Sequence, residues 1–207
     1  MESIEPKGLQ QIDSKLGIAF EQPSKKINEG EDVRFFLISQ AYTDIVTFIL
    51  QLNASLYPVK QPDGTSIQTW ELNDEKVTSI PATQQLASLL SALGNLIESA
   101  PPEKGPRRFG NVAFRSWYAL VESRADTLLE EHLPPLQADD RLGAQQELKA
   151  YLLGSFGSAQ RLDYGTGHEL SFLAFLAGLW KLGAFGSDGA QGNRGKERAI
   201  VLHIFEP

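Results

Sequence analysis

Cysteine is absent from the 207-residue chain, so disulfides, thiolate nucleophiles and thiolate metal sites are excluded. Histidine is scarce. His132, His168 and His203 show no metal-ligand spacing, and His168-Glu169 lacks the second histidine of a zinc-protease helix. No metal-ligating residue is nominated. Long apolar runs are also missing. Residues 170–185 are the longest, are interrupted by Lys181, and fall short of the roughly 20 residues a membrane span needs. The first seven residues have no apolar signal-peptide core. The expectation is a soluble intracellular chain, cytoplasmic with the nucleus as a second location, and with no membrane partner. Lys and Arg number 19 against 26 Asp and Glu, a net charge of -7, so no general attraction to nucleic acid is expected. Two phosphate motifs are missing as well. Leu170 stands where a dinucleotide fingerprint after Gly165 and Gly167 needs glycine. Ala190 and Glu197 occupy positions at which a P-loop around Gly195-Lys196 needs glycine and a hydroxyl residue.

Hydrophobic residues make up 42% of the chain, enough for a globular core. Residues 1–30 are polar, carry Pro6, Gly8, Gly17, Pro23 and Gly30, and read as a loosely ordered lead-in with a docked piece near residues 16–20. Residues 31–207 then form the main domain. From Val33 to Leu56 the apolar residues recur at three and four, which predicts one long helix ended by Pro58. A second helix starts at Pro81 and stops before Pro101-Pro102. A third spans about residues 111–132, with Phe114, Trp117, Val121 and Leu128 on one side, and a fourth about 140–156. A fifth, about 167–182, is apolar nearly all round and predicts a buried central helix. Residues 186–197 read as a surface loop, and the apolar residues 199–204 after it have no evident partner. Five helices without strand alternation predict an all-α fold, an irregular bundle around the central helix.

Two segments carry the chemistry. In the first, Arg161-Leu162-Asp163-Tyr164-Gly165-Thr166-Gly167-His168-Glu169, Thr166 and Glu169 have the spacing of a capping box for the helix that follows. The same glycine-rich helix start can present free N–H groups to a phosphate or carboxylate, with Arg161 adding a hydrogen-bond fork. The two readings are compatible. In the second, residues 107–118, aromatics at helical spacing point to core packing, and Arg107-Arg108 to a solvated loop.

Together, Arg108-Phe109-Gly110-Asn111, then Ala113-Phe114-Arg115 and Trp117, and later Arg161 to Glu169, resemble the phosphotyrosyl phosphatase activator family. The resemblance covers about residues 30–185. It implies an all-α activator of type 2A serine/threonine protein phosphatase, classed as a peptidyl-prolyl cis-trans isomerase. It implies ATP and Mg near the glycine segment, with Arg161, Thr166 and Gly167 as nucleotide contacts. The implied partner is the phosphatase catalytic subunit, with its scaffold subunit as a further candidate. Family members continue well beyond the equivalent of Phe185 with a Trp-Gly-Leu-Asp segment, so the C-terminal part of the family fold is expected to be lacking here, a C-terminal truncation. Catalytic residues are not assigned. A non-enzymatic assembly factor and an inactive truncated product are the alternatives.

Overall fold

Ser39 divides the first periodic segment in two. A short 3-10 turn (Gly30–Asp32) leads into α1 (Val33–Leu37), and α2 runs Gln40–Ser55. The Ser39 hydroxyl accepts the Tyr42 N–H at 3.1 Å and donates to the Phe36 carbonyl at 2.7 Å. One side chain thereby caps the second helix and closes the first. The stretch Gly30–Leu37 and α2 meet at 65°. The expected single helix is therefore corrected to two, because a local cap overrides an apolar spacing that continues across the break. Ile38, at the bend, is 83% exposed.

The computed structural model describes residues 8–13, 19–72, 77, 79–105, 110–133, 143–186 and 194–205. After α2 comes a small antiparallel hairpin, β1 (Val59–Lys60) and β2 (Ile67–Gln68), with Val59 opposite Gln68. Then follow α3 (Pro81–Asn95), α4 (Ala113–His132), α5 (Ala144–Gly154), α6 (Thr166–Lys181) and α7 (Gly195–Ile200). Pro81 opens α3 at a position that needs no amide donor. Thr83 Oγ1 accepts the Ile80 N–H at 3.1 Å beside it. The fold is all-α, as the sequence predicts.

Phe48 of α2, Leu89 of α3, Val121 of α4, Phe175 and Leu176 of α6 and Ile200 of α7 have no solvent exposure. Each such side chain stabilises the fold by about 1.5–3 kcal/mol relative to an exposed one. α5 and α6 approach closely because position 178 is glycine: a Cβ there would lie 2.3 Å from Leu148 Cδ2. The expectation of a buried central helix holds for its second half and is corrected for its first. Phe175, Leu176, Ala177, Leu179 and Trp180 are buried, but in residues 166–174 none is, and Leu170 is 40% exposed.

The C-terminal apolar run also needs correction, for it is covered. α7 starts at Gly195, inside the expected loop, and continues as a single π turn, Val201–Phe205. Ala199, Ile200, Leu202 and Ile204 are buried. α7 packs on α2 and the turn on α3. Arg194 donates to Ala54 O at 2.9 Å and Arg198 to Ser55 O at 3.1 Å, placing cations at the negative end of α2.

Near the N-terminus, residues 8–13 are strapped across two helices. Leu9 N–H donates to Gln51 Oε1 of α2 at 2.8 Å, and its carbonyl accepts Trp180 Nε1–H of α6 at 2.8 Å. Ile12 N–H donates to Lys181 O at 2.7 Å. Of the expected docked piece, Phe20 is half-buried against the core, and Leu16 lies outside the described residues. Among the described residues no single helix is long and apolar enough to cross a membrane.

Candidate functional site

The loop between α5 and α6 folds back on itself before the central helix begins. Ser158 N–H donates to Asp163 O at 3.0 Å, and Leu162 N–H to Ser158 O at 2.7 Å. The Ser158 hydroxyl accepts the Arg161 N–H at 3.1 Å. Leu162 is held at φ 56°, a left-handed conformation that a side chain disfavours. Arg161 Nε donates to Asp163 Oδ2 at 2.7 Å. This pairing raises the Arg161 pKa and holds the Asp163 carboxyl below its usual range. Both side chains are open to solvent, so the pair adds little to stability.

The second motif braces this loop. Gly110 sits at φ 50°, and a Cβ there would fall 2.7 Å from Leu162 O. Glycine is thus required twice over, by conformation and by close approach. Asn111 Oδ1 accepts from Ala113 N at 3.0 Å and Glu103 N at 3.2 Å, while its Nδ2 donates to Glu103 O at 3.0 Å. Arg115 Nε donates to Ala159 O at 3.0 Å and Nη2 to Gln160 O at 3.2 Å. Trp117 Nε1 donates to Leu93 O at 3.1 Å, and its ring meets Phe156 edge-on at 5.3 Å. Two motifs distant in sequence are one physical unit. The packing reading of Trp117 holds. Arg107, Arg108 and Phe109 lie outside the described residues. Beside the unit lies an apolar pocket of about 330 Å³, walled by Ile97, Ala100, Pro102, Phe114, Trp117 and Phe156 among others.

The glycine turn differs from the sequence expectation. Gly165, not Thr166, is the N-cap residue; Thr166 is the first residue of α6, and no side chain caps the helix. The capping box of Thr166 and Glu169 is therefore not formed, because the helix begins one residue early for it, with Thr166 already inside. Gly165 has φ −167°, extended backbone that any residue adopts, and a Cβ at Gly165 or Gly167 would meet nothing within 4 Å. The His168 N–H is taken by Gly165 O at 2.8 Å. The Thr166 and Gly167 amides have no acceptor among the described residues.

His168 ties the turn to α5. Its Nδ1 lies 2.7 Å from Gly154 O, and a carbonyl only accepts, so Nδ1 carries the proton. In the neutral ring Nε2 is then an acceptor. Tyr164, 61% exposed, stacks on the same ring at 5.5 Å. Of the three nominated contacts, Thr166 and Gly167 form the open helix start. Arg161 projects from the braced loop, committed through Nε to Asp163. Sequence reading missed Arg115 and His168. Arg115 stood in plain view inside the second motif, but nothing local shows that its acceptors come from the first. Among the described residues no cluster of three or more His, Asp or Glu could hold a metal ion.

The arrangement defines a class: an all-α protein whose central helix opens on a bare glycine turn, braced by a second motif at the start of a neighbouring helix. The chain belongs to the phosphotyrosyl phosphate activator (PTPA) protein family, whose model matches residues 23–207. It is 55% identical over 202 residues to serine/threonine-protein phosphatase 2A activator 1 of Aspergillus fumigatus, covering 95% of this chain and 42% of that protein. It is 52% identical over 213 residues to the protein of the same name from Emericella nidulans, covering 100% of this chain and 48% of that one. The crystal structure of the PP2A phosphatase activator Ypa1 superposes with a TM-score of 0.67 at 30% identity, covering 95% of this chain and 61% of that one. The chain thus spans about half the length of the curated relatives it matches.

Proposed function

We propose that this chain serves in activating type 2A serine/threonine protein phosphatase, the role its relatives are named for, and that the turn at residues 165–167 receives the phosphates of ATP. One observation carries the nucleotide reading. Gly165 and Gly167 have neither a conformational nor an internal packing reason to be glycine. The space beside both glycines is open, and the Thr166 and Gly167 amides, without an acceptor among the described residues, lie at the positive end of a 16-residue helix, where a phosphate is favoured. Arg161 suits the same task. Its Nε is engaged by Asp163, while its terminal nitrogens have no acceptor among the described residues and are available to an oxyanion. Magnesium would enter on the phosphates, which is its usual mode, and not in a protein cage.

The reaction proposed is prolyl cis-trans isomerisation on the phosphatase catalytic subunit. Its barrier is about 18–20 kcal/mol and no covalent bond is exchanged. A protein lowers it by holding the twisted amide better than either planar form, so a groove is needed and a nucleophile is not. The apolar pocket beside the loop suits an apolar side chain of the target peptide.

Calorimetric titration of ATP into wild type, Gly167→Ala and Arg161→Ala tests the nucleotide part. Gly167→Ala should fold at least as well, since alanine in a helix gains about 0.5–1 kcal/mol over glycine. It should nevertheless bind ATP more weakly. Equal affinity in all three proteins would overturn the phosphate cradle. A proline-peptide assay with and without phosphatase separates an isomerase from an assembly factor that binds and catalyses nothing.

A further inference from the structure

We infer that Arg115 is a positioning residue that sets the direction in which Arg161 leaves the loop; this rests on the nucleotide reading only for what Arg161 then meets. The two carbonyls that the Arg115 fork takes, Ala159 O and Gln160 O, belong to the peptide planes on either side of Gln160. The second plane also carries the Arg161 N–H, which donates to Ser158 Oγ. That plane is therefore pinned at both ends, its C=O by Arg115 and its N–H by Ser158, and the Arg161 Cα emerges directly from it. The next residue, Leu162, is left-handed and pressed against Gly110, so the far side of Arg161 is fixed too.

A planar guanidinium is the group for this work. It presents two N–H donors at a fixed separation and angle, matching two successive carbonyls, whereas an ammonium is a point donor on a flexible stem. Among the described residues Arg115 has these carbonyls and no carboxylate partner. Arg115 is exposed, so its contribution to overall stability is small and its effect is local.

The test measures amide hydrogen exchange and ATP binding on the full chain for wild type, Arg115→Ala and Arg115→Lys. In Arg115→Ala the Arg161 and Leu162 amides should exchange about tenfold faster, the equivalent of one lost hydrogen bond. The Leu176 and Leu179 amides in the buried part of α6 should be unchanged. ATP affinity should fall by a similar factor, Arg115→Lys should recover only part of either loss, and methylguanidinium added to Arg115→Ala should restore the loop amides. Wild-type exchange at Arg161 and Leu162 in the alanine variant would overturn the inference. So would a uniform rise that includes Leu176 and Leu179, which marks a merely structural residue, or full rescue by lysine. If wild type binds no ATP while the loop amides respond as described, the nucleotide reading falls and the positioning role stands.

Discussion

Both parts of α6 carry large apolar residues, and these live in different surroundings. Residues 175–181 are enclosed by α2, α5 and the strap at residues 8–13. Residues 166–174 carry Leu170, Phe172, Leu173 and Ala174, yet lie half-open beside the glycine turn. Their cover is partial: Ser171 donates to Tyr151 O at 2.9 Å, and Phe172 meets Phe205 edge-on at 5.7 Å. Apolar composition therefore does not by itself identify the core. The closed part is a structural anchor, and the open part holds the turn from a firm base while leaving it accessible.

The sharpest way to break this contrast is a pair of truncations. Phe175→Ala, at a fully buried site, should cost about 3–5 kcal/mol in urea unfolding. Leu170→Ala should cost well under half of that, because much of its side chain already faces water. Equal costs would show that the two parts are not distinct. Next comes the brace. Trp117→Ala should lose about 3 kcal/mol, and Trp117→Phe, which keeps a ring but drops the bond to Leu93 O, about 1 kcal/mol.

Glycine substitutions separate brace from turn. Gly110→Ala should destabilise by about 1–3 kcal/mol, since it forces a side chain into a left-handed backbone pressed on Leu162. Gly165→Ala should stay within about 0.5 kcal/mol of wild type. Melting curves that rank these two the other way would undo the distinction. Thr166→Ala should likewise move stability by no more than about 0.5 kcal/mol, because Thr166 caps nothing.

The smallest effect is a change of pH slope. Burial first, and Glu147 second, push the Tyr151 hydroxyl up to about 12. A folded value raised above the unfolded one of about 10 means that the unfolded chain loses this proton first. The contribution is full below pH 10 and fades as pH rises through the folded value. Tyr151→Phe should flatten stability between those limits, and an unchanged slope would place the titration elsewhere.

Much of the fold was legible in the sequence because helix length and apolar period are local properties. Pro81 marked the start of α3, and the expected side of α4 buries Val121, though Leu128 on it is only half-buried and Leu129 is the leucine enclosed. What escaped depends on single side chains or distant partners. Ser39 breaks a helix through one hydroxyl that no apolar count registers. Residues 199–204 looked unpartnered because their cover, α2 and α3, lies far back in the chain. Of the candidate site, the residues were named but not their relation. Gly110 and Leu162 touch only after α4 and the α5–α6 loop are packed, and the capping box was a spacing that the actual helix start does not use.

The strap at residues 8–13 has a consequence for the order of assembly. Leu9 is bonded to Trp180, 171 positions later in the chain. During synthesis residues 8–13 must wait, solvated, until Trp180 has left the ribosome. Contacts of such separation close late, since their loop entropy is recovered only when intervening helices have packed. The strap is thus made well before α6 and docked only after it, and it seals the buried part of that helix like a clasp.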